Sequence, residues 1–216
     1  MADSAVKRPA LFKASHIKAL STRHRGFRRL IASLKQPQFD IPAWKTIDEA
    51  ILYAIIGQML STRAAHSIIS KLTKRYEKNE ELFGWAVKTA RTPGPLHGVS
   101  QRKRRALAEW HLFRMKQPRR WHAWNELSLT EFRAEVCSIW GLGRWAADML
   151  AIFFFARPDV WPETDGGIIR ATKIHFDGAT PSELAPRVTG YETLASLFLW
   201  DSLNRKSEIG MRRVNG

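Results

Sequence analysis

"GLGRWAADML" (residues 141–150) is the stretch that decides the fold class. A Gly-apolar-Gly step stands directly ahead of an apolar helical run. Upstream, Ser128 and Glu131 in "SLTE" form a capping-box pattern that opens a helix running to about Ile139. Gly141 and Gly143 permit positive φ and the close approach of another backbone. The two helices and their "GLG" joint therefore read as a helix–hairpin–helix. The second helix begins at Arg144, and its unpaired N–H groups face away from the turn, where they suit an anion such as a phosphate. Arg144 adds a cation there. By itself a GxG step also fits a plain turn between two core helices.

Working outward, helical periodicity dominates. Thr46 and Glu49 in "TIDE" read as a capping box, and Ile47, Ala50, Ile51, Ala54 and Ile55 follow at helical spacing. A helix starts near Ser61 or Thr62 and runs through "AAHSIISKLTKRY". "TPGPLHG" (92–98) is turn chemistry, and "SQRKRRALAEWHLF" is a basic helix. "RPDVWPETDGG" reads as a loop and "GIIRATKIHF" as a short helix. Thr180, Pro181 and Glu183 give a third capping box with proline at the first helical position. "YETLASLFLWDSLNR" reads as a last amphipathic helix. No strand pattern competes, so the expected class is all-α.

Composition narrows the partners. The 216 residues carry a net charge of +15 with an isoelectric point near 10.5, which makes a polyanion the first partner to consider. The charge is clustered: residues 1–35 hold nine Lys/Arg against one Asp, and residues 101–120 hold eight against one Glu. Neither basic run has a clean apolar face, and no long apolar run exists, so a membrane partner is not expected. The single Cys137 excludes a disulfide framework and a cysteine-ligated zinc or iron–sulfur site. His66, His97, His111, His122 and His175 lack metal-ligand spacing.

The acid comes from "WPETDGG" (161–167). Asp165 lies 20 residues after Trp145 and precedes Gly166 and Gly167 at the start of a helix. Free N–H groups and the helix dipole favour an ionised carboxylate at such a position. A carboxylate aimed at a sugar can stabilise an oxocarbenium-like centre or steer water onto it. An ordinary N-cap Asp fits the same residues.

Three stretches together resemble the helix–hairpin–helix (HhH-GPD) DNA glycosylase superfamily, with the closest likeness to 3-methyladenine DNA glycosylase II. "AIIGQMLSTRAA" (54–65) resembles the Gln-containing helix junction. "LHGVSQRKRRAL" (96–107) resembles the Gly-x-Ser-x-x-Lys segment. "IWGLGRWAADML" followed by "WPETDGG" resembles the hairpin and catalytic loop. The likeness spans roughly residues 45–175.

The resemblance implies a two-lobed helical fold whose cleft takes a nucleotide rotated out of the DNA stack, without the N-terminal β-domain of some members. Residues 1–35 would be a basic, partly mobile helical segment. Residues 36–216 would be the glycosylase domain, with a middle lobe over about 47–150 and a second lobe from the N- and C-terminal helices. Asp165 takes the catalytic position. Gly141, Gly143, Arg144, Ser100 and Lys103 would bind DNA phosphates. Gln58 and Met59 would form the wedge that fills the gap, and Trp145 and Met149 the base pocket. No cofactor is required. The carbonyls of Cys137, Ile139 and Leu142 sit where the family holds Na+ or K+ beside the hairpin. The expected partner is double-stranded DNA carrying a damaged base, bound by a monomer in a bacterial cytoplasm or a eukaryotic nucleus.

Trp145 stands where bifunctional relatives place a Lys nucleophile. The implied activity is therefore monofunctional, releasing a base with water and leaving the strand intact. An alkylated purine such as 3-methyladenine is the first expectation. Departures keep other readings open: Ala146 replaces the usual Thr, Met149 a pocket Tyr, Val188 a stacking Trp and Glu192 an Arg, while Tyr191 survives as an aromatic. One alternative is a glycosylase for uracil, mismatched thymine, or a deaminated or oxidised purine. Another is a non-catalytic damaged-DNA binder. Trp44, Trp140 and Phe154 read as core residues that could also supply aromatic faces.

Overall fold

The computed structural model describes residues 12–34, 39, 41–42 and 44–214, with side chains up to residue 204. Residues 1–11, the first part of the basic segment expected to be mobile, lie outside the described residues. The helices are α1 (Ala14–Arg23), α2 (Arg25–Ser33), α3 (Ile47–Gly57), α4 (Thr62–Arg75), α5 (Asn79–Thr89), α6 (Gln101–Lys116), α7 (Leu129–Cys137), α8 (Arg144–Phe153), α9 (Gly166–His175), α10 (Pro181–Val188) and α11 (Glu192–Val214), with a 3-10 helix at Arg120–Glu126 between α6 and α7. Among the described residues the extended structure is one bridge, Leu96 with Val99. No described helix is long and apolar enough to cross a membrane.

Local chemistry sets most helix starts. Ser128 and Thr180 head true capping boxes: each hydroxyl accepts the N–H three residues on, and Glu131 and Glu183 reach back to the cap N–H. The expected box at Thr46 is only half made. Thr46 accepts from Glu49 N, but the Glu49 carboxylate turns to Lys45 N at 2.6 Å. Two elements carry weak start signals. Lys78 before α5 makes no side-chain cap bond and Gly84 sits mid-helix, while the 3-10 helix is likewise uncapped at Arg119.

The chain divides into two compact units. One is Ala43–Phe155. Its core joins Ile51 and Ile55 of α3, Leu107 and Trp110 of α6, Trp124, Phe132 of α7 and Leu150 of α8, all fully buried. Asp48 at the start of α3 accepts Trp110 Nε1–H at 2.7 Å, fixing α3 on α6. Arg104 is fully buried, and its guanidinium donates to the carbonyls of Thr89, Thr92, Gly94 and Val99. It thereby stitches the 92–98 turn onto α6, and burial holds its pKa below the usual value.

The other unit is Lys7–Pro42 with Ala156–Gly216. Leu20 of α1, Phe27 and Leu30 of α2, Ile168 of α9, Leu184 of α10 and Phe198 of α11 form its core. The basic N-terminal helices are thus integral to this unit. Apolar residues one turn apart anchor α1 beside α2 and α10, and α2 beside α9 and α11.

Candidate functional site

In the first unit the hairpin turn has Gly141 at φ +90°. A Cβ added there would lie 2.4 Å from Ala106 Cβ of α6. Glycine is therefore required twice over, for the left-handed backbone and for the approach of α6. Gly143 departs from expectation. It is extended (φ −99°, ψ −177°), a Cβ added to it would meet nothing within 4 Å, and it serves as the N-cap of α8. Its openness leaves the first N–H groups of α8 unobstructed by a side chain.

The turn after α3 is unusual. Gln58 (φ −52°, ψ 126°), Met59 (φ +57°) and the Leu60 N–H to Gly57 O bond of 3.1 Å describe a type II turn. Met59 occupies the position that favours glycine. Left-handed backbone costs an L-residue on the order of 1–2 kcal/mol, yet the Met59 side chain is 101% exposed and gains no packing in return.

In the second unit Asp165 caps α9. Its Oδ1 accepts Ile168 N–H at 2.9 Å and the indole Nε1–H of Trp200 at 2.9 Å. Gly167 makes room for this: a Cβ there would lie 2.9 Å from Asp165 Oδ1 and 3.0 Å from Trp200 Cδ1. The carboxylate is thus oriented from two elements, α9 and α11, while remaining half-buried.

No protein-family model matches the chain. The alkylbase DNA glycosidase-like protein mag2 of Schizosaccharomyces pombe is 27% identical over 174 residues, which is 74% of this chain and 80% of that protein. The S. pombe 3-methyladenine DNA glycosylase Mag1, solved in complex with abasic DNA, superposes with a TM-score of 0.67 at 20% identity, covering 87% of this chain and 95% of that one. The 3-methyladenine DNA glycosylase of Archaeoglobus fulgidus gives a TM-score of 0.69 at 21% identity, over 88% and 70% of the two chains. The fold is that of the helix–hairpin–helix DNA glycosylases.

Within this glycosylase fold the expected residues fall into place unevenly. Trp145 and Met149 lie one turn apart on α8. Trp145 is half-buried, with its Cη2 3.4 Å from the place a Cβ on Gly57 would take, and Met149 is 7% exposed. Two assignments need correction. Gln58 is not paired with Met59 as an outward wedge: its Nε2 donates to Gly141 O at 3.0 Å, so it faces the hairpin. Lys103 spends two of its three ammonium donors inside the protein. It donates to Ile56 O at 2.7 Å and Gln58 O at 2.9 Å, satisfying carbonyls left open at the end of α3. Burial lowers its pKa. Ser100 is exposed, but its hydroxyl caps α6 by accepting Lys103 N–H at 3.4 Å.

Arg144 is half-exposed and leans on Asp148, one turn on, at 3.5 Å. Asp148 is fully buried and takes Arg133 Nε–H at 2.7 Å, so α7 and α8 are clamped on either side of the hairpin by an ion pair. The carbonyls of Cys137, Ile139 and Leu142 belong to this turn. Ile139 O already accepts Leu142 N–H at 3.0 Å, which leaves it a second lone pair.

Trp140, expected in the core, is 37% exposed with the Arg105 guanidinium 3.9 Å from its ring centroid and Arg102 at 6.0 Å. Such stacking leaves N–H edges of a guanidinium open to an anion; Arg105 Nε also lies 3.6 Å from Glu109 Oε1. Trp44 and Phe154 are core, as expected. Val188, in the place of the family's stacking Trp, is fully buried in the second unit's core, and Tyr191 carries Arg23 at 5.4 Å over its ring. The sequence reading missed Trp200, Asp148 and the Arg102–Arg105–Trp140 stack. Only the Arg144–Asp148 spacing of four was visible as a local signal.

Proposed function

We propose that the protein is a monofunctional DNA glycosylase of base excision repair, acting on an alkylated purine such as 3-methyladenine. The observation that carries the reading is the Asp165 carboxylate, held at a helix N-terminus by Ile168 N–H and Trp200 Nε1–H, on a fold shared with glycosylases of that substrate class.

Duplex DNA is captured through its phosphates, by the N–H groups that open α8 and by the guanidinium edges of Arg102 and Arg105. The carbonyls of Cys137, Ile139 and Leu142 would hold Na+ or K+, placing positive charge near the same phosphates. Met59 enters the stack as the damaged nucleotide leaves it. An exposed side chain on a strained backbone is what such a task requires, and it has no folding benefit to explain it. Trp145 and Met149 receive the base.

Departure of the base leaves a sugar with oxocarbenium character, and the fixed negative charge of Asp165 stabilises it while water adds. Trp145 offers no amine, so no covalent imine forms and the strand stays intact. N-alkylation weakens the glycosidic bond, so an alkylated purine needs the least help. The localisation proposed is wherever duplex DNA resides, and the acting species a monomer.

A second reading is a non-catalytic binder of damaged DNA. It is favoured by one observation: Asp165 Oδ1 already accepts two N–H groups, as a purely structural cap would. Duplexes carrying single 3-methyladenine analogue, 1,N6-ethenoadenine, hypoxanthine, uracil or 8-oxoguanine residues separate the readings. Breaks at one base only after hot alkali support the proposal and name the substrate. Breaks without alkali contradict the monofunctional assignment. Retained binding without excision favours the second reading.

A further inference from the structure

The basic helix α6 touches both parts of the DNA-facing machinery in its unit. Lys103 clamps the carbonyls of Ile56 and Gln58 at 2.7 and 2.9 Å. One turn on, Ala106 packs flush on Gly141. Gln58 closes the triangle by donating to Gly141 O at 3.0 Å. Inside that triangle the chain is forced through the type II turn that puts Met59 at φ +57° with its side chain wholly in solvent.

The turn has no glycine at its left-handed position, so something outside it must hold Met59 there. Lys103 is placed to do so, because the two carbonyls it grips bracket Gly57 and border Met59 itself. Its partly desolvated ammonium is stabilised there by the dipoles of those carbonyls. Without its donors, the end of α3 would leave open carbonyls and the turn would be free to return to ordinary φ.

We propose that Lys103 is a positioning residue for Met59, acting through the backbone of Ile56 and Gln58 so that the hairpin's phosphate grip and the insertion of Met59 move as one body. The proposal rests on the assignment of Met59 as the inserting residue under the function above. It removes Lys103 from the phosphate contacts and gives it a mechanical task instead.

The test is a double-mutant cycle read by binding. The quantity measured is the ratio of affinity for a duplex with a tetrahydrofuran abasic-site analogue to affinity for the same duplex undamaged. Met59→Ala is expected to lower the ratio roughly tenfold, Lys103→Met to lower it similarly, and the double variant to fall no further. A structural role alone would lower both affinities together and leave the ratio in place. Additive losses in the double variant, or an unchanged ratio in Lys103→Met alongside a loss in Met59→Ala, would overturn the tether. An unchanged ratio in Met59→Ala would overturn the wedge assignment and this proposal with it. Base excision by the wild-type protein reads independently of both. If Lys103→Met does not fold by thermal melt, Lys103→Gln, shorter and uncharged but with two amide N–H donors, carries the same cycle.

Discussion

Trp200 Nε1 donates to Asp165 Oδ1 at 2.9 Å, across 35 residues of sequence. The bond fixes the carboxylate in a direction that the N-cap bond alone does not set, because a single acceptor contact leaves the side chain free to pivot. Trp200→Phe keeps the ring and removes the donor. Excision by that variant is expected to slow roughly tenfold, about 1.4 kcal/mol in the barrier. Affinity for abasic-site DNA should stay near that of wild type, and single-turnover rates beside equilibrium binding check both.

The two hairpin glycines make different demands. Gly141→Ala must place a Cβ 2.4 Å from Ala106 at φ +90°. A loss of about 1–3 kcal/mol in unfolding free energy is expected. Gly143→Ala meets nothing within 4 Å on an extended backbone and should cost only about 0.5–1 kcal/mol, the N-cap preference for glycine over alanine. Denaturant melts of the two variants check the contrast, and equal losses would contradict it.

The guanidiniums stacked on Trp140 should account for part of the salt dependence. The logarithm of affinity for undamaged duplex is expected to fall steeply with the logarithm of salt, by nearly one unit of slope per neutralised phosphate. Replacing Arg102 and Arg105 together by Gln should reduce that slope by about two. A slope unchanged by the pair would remove them from the interface.

Asp148 sets a pH signature. Burial pushes its carboxyl up, against the opposing pull of Arg133 and Arg144. A folded value above the unfolded value of about 3.9 contributes stability that is complete below the unfolded value and is lost as pH rises through the folded one. The Tm of wild type minus that of Asp148→Asn is therefore expected to be greatest at acid pH and to shrink toward neutrality. A difference that grows with pH would reverse the assignment.

What was legible in the sequence was local. The capping boxes at Ser128 and Thr180, the glycine turn at Gly141 and the N-cap at Asp165 all rest on residues no more than four apart, and each was found as expected. What was hidden depends on which way a side chain turns. "QRKRR" reads as one basic face, yet Arg104 points into the core, Lys103 grips α3, and Arg102 and Arg105 stack on Trp140. Trp200 was equally invisible, because nothing in "LFLWDSL" says that its indole reaches a carboxylate on another helix.

Asp165→Asn is the most direct test of the central claim. Asn caps helices about as well as Asp, so the turn before α9 should persist while the charge is lost. Single-turnover excision of an N-alkylated purine is expected to fall by at least roughly a hundredfold, with binding to abasic-site DNA retained. Equal excision by the two proteins would contradict the account, since the sugar's developing charge would then owe nothing to Asp165.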